Sequence, residues 1–393
     1  MKKTILTGSA FALLALFLVA CNNDDDSGTT TDDTAKTEVV ENYADIVYAN
    51  YQDALEDAVA LKTAINAFTE NPSEERFELS KTAWLVSRES YGTTEAFRFA
   101  NGPIDDENGP EGLLNAWPLD ENFIDYVDNG GTVVNGGIVN SLDDYPEITK
   151  EVLEGLNENG GEKNISVGYH AIEFLLWGQD LTSPDALLPG QRPYTDFVDG
   201  GTALNQDRRR AYLDICADLI IDNLTYLVDL WAPSGEYRAT FLNLDEDEAL
   251  KNIYLGITTL VSAELPVERM SVALINADQE DEHSCFSDNT HRDIALNLQG
   301  IINVYEGKYG TISGPSLASL VKEANEETYN DTADSIDEAV EKVSEMYIPF
   351  DYAIMGGEDS AEGAKVQDAI DELQDLGKFL LAGASAIGIT VNG

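Results

Sequence analysis

The architecture is first legible in the stretch VENYADIVYANYQDALEDAVALKTAINAF, residues 40–68. Val40, Ala44, Val47, Tyr51, Ala54, Ala58, Leu61, Ile65 and Phe68 recur at alternating spacings of four and three, and every one is apolar. Glu41, Asp45, Asp53, Glu56 and Asp57 fall off that line. A stripe with this period predicts a long amphipathic helix of the bundle-forming kind. Asn71-Pro72-Ser73 ends it, and Ser73 ahead of Glu74-Glu75-Arg76 predicts a capped second helix reaching about Phe99.

The same pattern returns over residues 205–231, with Leu213, Ala217, Ile220, Leu224, Leu227 and Trp231 in the stripe and Cys216 beside it as a small core residue. Further helices are expected near residues 246–277, 289–305, 316–347 and 361–386, the last carrying Val366, Ile370, Leu373, Gly377 and Leu380. Strand-like alternation is nearly absent. Residues 101–164 are punctuated by Gly102-Pro103, Asn108-Gly109-Pro110, Trp117-Pro118, Asn129-Gly130-Gly131 and Asn135-Gly136-Gly137. A connection that long is either functional or packed as a small layer of its own. The reading is an all-α protein of two four-helix-bundle-like halves packed together, residues 35–243 and 244–393. The long irregular Gly/Pro-rich insertion lies in the first half.

Residues 1–21 stand apart. Lys2-Lys3 precede an apolar run over residues 5–19, which ends in Leu18-Val19-Ala20-Cys21 and resembles a bacterial lipoprotein signal with Cys21 as the lipidated residue. Residues 22–34, opening with Asn22-Asn23-Asp24-Asp25-Asp26, read as a disordered acidic tether. The expectation is an outer-membrane lipoprotein, facing the periplasm or the cell surface and touching the membrane through its anchor alone. The formal charge is −50, and −52 without Lys2 and Lys3. A surface of that sign repels nucleic acid and anionic lipid and concentrates cations at any cleft. Beyond Cys21 only Cys216 and Cys285 occur, enough for one disulfide.

The chemistry centres on Gly168-Tyr169-His170-Ala171-Ile172-Glu173-Phe174-Leu175-Leu176-Trp177-Gly178. This is a short, almost wholly apolar helix in which His170 and Glu173 share a face. A carboxylate in such company must be protonated, ion-paired or bound to a metal. His-x-x-Glu supplies two ligands for iron or zinc without completing a site, and a core His–Glu hydrogen bond is the plain alternative. The other two histidines, His283 and His291, lie in one acidic segment, residues 279–293, where Ser287 or Asp288 is expected to cap the helix that follows. In the second helix Trp84, Arg88, Tyr91, Glu95 and Arg98 occupy a face at spacings of four and three. Either they form a buried salt bridge, or Trp84, Arg88 and Tyr91 support a site to which Glu95 is a ligand. Glu264 and Glu268, beside Pro266 and Arg269, offer carboxylates to a cleft or pair on the surface. Candidates for closing a cation site around His170 and Glu173 are therefore Glu95, Glu264, His283, Asp288 and His291.

Several templates are excluded. There is no His-Glu-x-x-His, and Phe174 stands where the inverted zinc-protease pattern needs its second histidine. Acids crowd Cys285 and would raise its pKa, which argues against a thiol nucleophile. No Gly-rich phosphate loop follows a strand, and residues 105–109 lack EF-hand spacing.

Gly168-x-His170-x-x-Glu173 resembles the Gly-x-His-x-x-Glu signature of the imelysin family of exported bacterial proteins. The resemblance extends, in order, to Glu95-Ala96-Phe97-Arg98-Phe99, Asn115-Ala116-Trp117-Pro118-Leu119-Asp120, Glu264-Leu265-Pro266-Val267-Glu268-Arg269-Met270 and the segment from His283 to His291. It implies an all-helical fold, a cell-envelope location and a site at Gly168, His170 and Glu173 near the junction of the halves. It also implies one of two activities, metallopeptidase or component of bacterial iron uptake. Glu173 cannot readily serve as both ligand and general base, which weighs against the peptidase. The favoured reading is binding of a metal cation, iron or an iron chelate, within an uptake system whose other proteins the sequence does not identify. The alternatives are a metallopeptidase and a non-catalytic surface interaction protein.

Overall fold

In the computed structural model, which describes residues 29–391, the stripe over residues 40–68 is the inner face of a single helix, α1 (Thr29–Glu70). Every member of that stripe is buried. The leader and Cys21 lie outside the described residues. Residues 29–34, expected in the tether, are helical, because the start of α1 is pinned elsewhere in the fold. Lys36 Nζ sits 2.7 Å from Asp247, and the Thr37 hydroxyl donates to Glu246.

The other long helices follow the predicted stripes with two exceptions. α2 (Glu74–Thr94) starts on the Ser73 cap, whose hydroxyl accepts the Arg76 N–H, but stops short of Phe99. The Thr93 and Thr94 hydroxyls donate back to the carbonyls of Ser90 and Tyr91, and the chain tightens into a 3-10 turn, Glu95–Phe97, that turns Glu95 inward. α3 (Tyr169–Trp177) is buried along its whole length, and α4 (Gln206–Trp231) carries the second stripe. α5 is continuous but changes winding, from Glu246–Thr259 through a π-helical stretch, Leu260–Ser271, to a last turn, Val272–Asn276. Pro266 lies inside the π stretch, where the wider winding accommodates a ring that an α-helix would expel. α6 spans Thr290–Glu306.

The single helix expected over residues 316–347 is two, α7 (Leu317–Ala324) and α8 (Glu326–Glu345). Asn325 is extended at φ −156° and its side chain accepts the N–H groups of Glu327 and Thr328, so it caps a new helix instead of continuing the old one. A short helix, Phe350–Ile354, precedes the last, α9 (Ala361–Ala386). Among the described residues extended pairing is confined to two hairpins of two-residue strands, Val127–Asp128 with Val133–Val134 and Lys308–Tyr309 with Ile312–Ser313. The fold is all-α, as expected.

α1 packs against α2 and α4, while α9 packs against both α5 and α8. α2 also crosses α6, and α1 crosses α5, so one apolar core runs continuously through all of them. The α2–α6 crossing is close because Gly300 presents no side chain; a Cβ there would stand 2.4 Å from the Thr93 carbonyl oxygen. The irregular region over residues 101–164 is a packed layer. Buried Asp125 accepts Arg209 at 2.6 and 2.8 Å and Arg192 at 2.8 Å, while Arg208 donates to the carbonyls of Ile138 and Val139. No helix among the described residues is long and apolar enough to cross a membrane.

Candidate functional site

α3 is seated by α2. Trp84 Nε1–H donates to the Tyr169 carbonyl at 3.0 Å, and the rings of Tyr91 and Tyr169 pack 4.7 Å apart. Gly168 precedes α3 at φ +92°, and a Cβ there would stand 2.7 Å from the Leu114 carbonyl oxygen. Both facts require glycine at this position of the motif.

Inside α3, Glu173 is fully buried and both its oxygens are engaged. Oε2 lies 2.8 Å from His170 Nδ1, and Oε1 accepts the Ser287 N–H at 2.9 Å and the Ser287 hydroxyl at 2.7 Å. Burial pushes the Glu173 carboxyl up to about 8, against the Ser287 donors that favour its charge. Burial, reinforced by the Arg88 charge, lowers His170 to about 3, so its imidazole is neutral. His170 Nε2 is buried without a hydrogen-bond partner. When Glu173 is a carboxylate, the imidazole proton sits on Nδ1 and Nε2 carries a free lone pair.

His283 is brought alongside, its ring 4.7 Å from that of His170 and nearly perpendicular to it, with Trp117 edge-on at 5.1 Å. Its Nδ1 lies 2.7 Å from Asp293, which also accepts the Ser284 hydroxyl and Arg88 Nη2 at 3.0 Å. Burial works against the Asp293 charge, but Arg88 and then His283 hold its pKa well below the usual carboxylate range. Burial and then the Arg269 charge lower His283 to about 3. Trp117, Pro118, His170, Glu282, His283 and Cys285 line a small cavity of about 20 Å³. That volume holds one water-sized occupant.

The remaining candidates do not join His170 and Glu173 directly, though the Asn115 amide spans from Glu95 Oε1 at 3.4 Å to His283 Nε2 at 3.5 Å. Glu95 is in an arginine cage: Arg269 Nη2 donates to it at 2.6 Å and Arg98 stands at 3.5 Å. Burial opposes its charge, yet Arg269 and Arg98 lower it to about 2. Glu264 meets the same two arginines at 3.0 and 3.7 Å, and Glu268 is exposed. The salt-bridge alternative for the α2 face is therefore the observed one. Arg88 reaches Asp293 and Asn115, and Glu95 reaches Arg269. His291 bonds the Asp288 carbonyl through Nδ1 and faces an apolar groove with Leu296 and Ile348, away from His170. Neither Ser287 nor Asp288 caps α6, because the Ser287 hydroxyl is taken by Glu173 and Asp288 sits at φ +56°; Asn289 starts the helix with no side-chain cap. Cys216 and Cys285 are free thiols.

Sequence reasoning missed Asp293, Ser284 and Asn115 as working parts. Asp293 reads as an ordinary acid in the first turn of a helix, and nothing in its spacing points to Arg88. Asn115 lies within one of the segments that carried the resemblance, which was its one visible signal.

The sequence model of the imelysin family matches residues 47–378. The chain belongs to the imelysin family. It is 23% identical over 282 residues to a protein named iron-regulated protein A from Synechococcus elongatus, a match covering 69% of this chain and 64% of the relative, so the chain spans less than two thirds of that protein. Two solved structures share the fold. One, described as a candidate iron-regulated protein A precursor from Parabacteroides distasonis ATCC 8503, has a TM-score of 0.69 at 20% identity, covering 90% of this chain and 95% of its own. The other, an imelysin-like protein from Psychrobacter arcticum 273-4, has a TM-score of 0.64 at 14% identity, covering 92% and 98%.

The burial of these carboxyls predicts an unusual pH profile. Glu173 at about 8 and Glu111, raised by burial to about 7, hold protons in the folded state that an unfolded glutamate, near 4.3, has already lost. Stability of the chelator-treated protein should therefore rise as pH falls from 8 to 6.5, by on the order of 1 kcal/mol per such carboxyl. Below about 6.5 the unfolded histidines take up protons that folded His170 and His283 refuse, which opposes the gain. Denaturant titrations at pH 8 and 6.5 check this, and equal or lower stability at 6.5 would contradict it.

Proposed function

We propose that this protein is a cell-envelope component of iron uptake that takes a bare iron cation at His170. The observation that carries the reading is a neutral, buried imidazole whose Nε2 has no partner, in a residue that lines a small cavity. Metal ligation needs exactly that protonation state, so the residues fit such a cargo. On metal binding Glu173 gives up the proton that burial lets it keep and, as a carboxylate, orients the ring with the proton on Nδ1, the arrangement found behind metal-binding histidines generally. His283 and Glu282 line the same cavity and are the nearest further donors. A space of about 20 Å³ suits an ion and excludes a chelate in this conformation. The lipoprotein-like leader ending at Cys21 is the support for an outer-membrane anchor, and the relatives named for iron regulation support the choice of iron. The excess of acidic residues supports it further, since it draws cations and repels nucleic acid.

The peptidase alternative is less well supported. It needs an open metal position, a water and a base able to take its proton. Both Glu173 oxygens are occupied, and the cavity has no room for a peptide.

Calorimetric titration with Fe²⁺ under anaerobic conditions, in buffer with excess calcium to fill carboxylate-only sites, should give one site per chain. His170→Ala should abolish it, and Glu173→Gln should weaken it by about 10- to 100-fold. Wild-type affinity in His170→Ala would reject the proposal, and metal-dependent cleavage of an unfolded protein, lost in Glu173→Gln, would favour the peptidase. Mass spectrometry of protein extracted from the envelope should find a lipidated Cys21, and an unmodified or absent Cys21 would reject the anchor.

A further inference from the structure

Behind the loop that carries His283 lies a second group of acids that the iron reading does not use. Asp180, Asp288 and Asp351 are all buried, and each offers a carboxylate oxygen within 4.8 Å of those of the other two. Two oxygens bound to one calcium ion at about 2.4 Å can be at most about 4.8 Å apart, so this spacing admits a shared ion.

Hydrogen bonds account for only part of these carboxylates. Asp180 Oδ1 accepts the N–H and hydroxyl of Thr182, and its Oδ2 accepts Gln279 Nε2 at 3.2 Å. Asp351 Oδ1 accepts the Tyr352 N–H at 2.7 Å, which leaves Asp351 Oδ2 buried with no partner. Glu282 is 2% exposed, and both of its carboxylate oxygens are buried without a partner. Burial first, and then the charges of Asp351, Asp288 and Asp180, raise its carboxyl well above the usual range. Asp288 is raised to about 8 by burial, then by Asp351, Asp180 and Glu173. The leading charges acting on these groups are thus all negative. In the arginine cage around Glu95 the chain supplies its own cations, but here it supplies none. Burying several unpaired carboxylates together is among the costliest arrangements a fold can contain.

We propose that Asp180, Asp288 and Asp351 form an all-oxygen site for one hard divalent cation of the calcium class. The donors are carboxylates alone, with no imidazole or thiolate among them, which suits a hard ion rather than zinc or copper. Calcium accepts irregular oxygen shells, whereas magnesium demands near-octahedral geometry and keeps its waters. The three residues come from three separate parts of the chain: the turn after α3, the loop leading to α6, and the short helix Phe350–Ile354. One ion would tie these parts together. Asp288 adjoins Ser287, so the same ion holds the loop that presents Ser287 to Glu173 and His283 to the cavity.

The test uses the full chain, stripped with a chelator and dialysed, and titrated with CaCl₂ at pH 7.5 by calorimetry and thermal melting. The expected result is one calcium per chain and a higher melting temperature. Asp351→Asn and Asp288→Asn should each weaken calcium binding at least tenfold, while Asp185→Asn, an exposed acid in the neighbouring turn, should bind as wild type. Stripped Asp351→Asn should melt no lower than stripped wild type, because it loses a repelling charge. That result also shows that the variant folds. The proposal is overturned if wild type binds no calcium, if both asparagine variants bind it as wild type does, or if stripped Asp351→Asn melts well below stripped wild type.

Discussion

A carboxylate buried in an apolar helix constrains this structure more than any other single group. Glu173 sits among Ile172, Phe174 and Leu175, all out of solvent, and its helix offers it only His170. The second oxygen is satisfied by bringing in a distant loop, whose Ser287 donates through both backbone and hydroxyl. Leaving such a buried group without its hydrogen-bond partner costs about 1–3 kcal/mol, so the loop has a strong reason to sit where it does. Once Ser287 is placed, His283 follows against His170, and Asp293 at the start of α6 is positioned to receive it.

The same logic accounts for the arginines. Arg88 and Arg269 are both fully buried, and each ends on a carboxylate from another element. Arg269 comes from the π-helical stretch of α5 and reaches Glu95 at the end of α2 and Asn297 on α6. Asn297 in turn donates to the Gly92 carbonyl. Three helices are thus joined by groups that cannot be left unpaired, which fixes their relative rotation more closely than apolar contact would. Placing two guanidinium charges nearby also helps to keep both imidazoles neutral, since a second positive charge there is unfavourable.

Much of the fold was legible because burial imposes a period. The stripe from Val40 to Phe68 and the one from Val366 to Leu380 are both buried as read. Boundaries were less legible where side chains competed with the helix, as at Thr93-Thr94 and at Asn325, since hydroxyl and amide groups make their local bonds without altering the apolar pattern. At the site, His170 and Glu173 stood out because ionisable residues are conspicuous in an apolar helix. Ser287 was misjudged as a cap because its true partner is 114 residues away. Asp180 and Asp351 gave no signal at all, being two acids among many in a strongly acidic chain. Their significance arises only from tertiary packing, which removes them from water together.

The central claim is that His170 presents Nε2 to a cation while Glu173 holds the proton on Nδ1. The most direct measurement is nitrogen NMR of the histidine side chains, recorded with and without zinc as a diamagnetic stand-in for iron. On loading, His170 Nε2 should move to the shift of a metal-bound nitrogen while Nδ1 stays protonated. A metal-loaded protein in which His170 Nε2 still carries a proton, or in which the metal sits on Nδ1, would contradict the account.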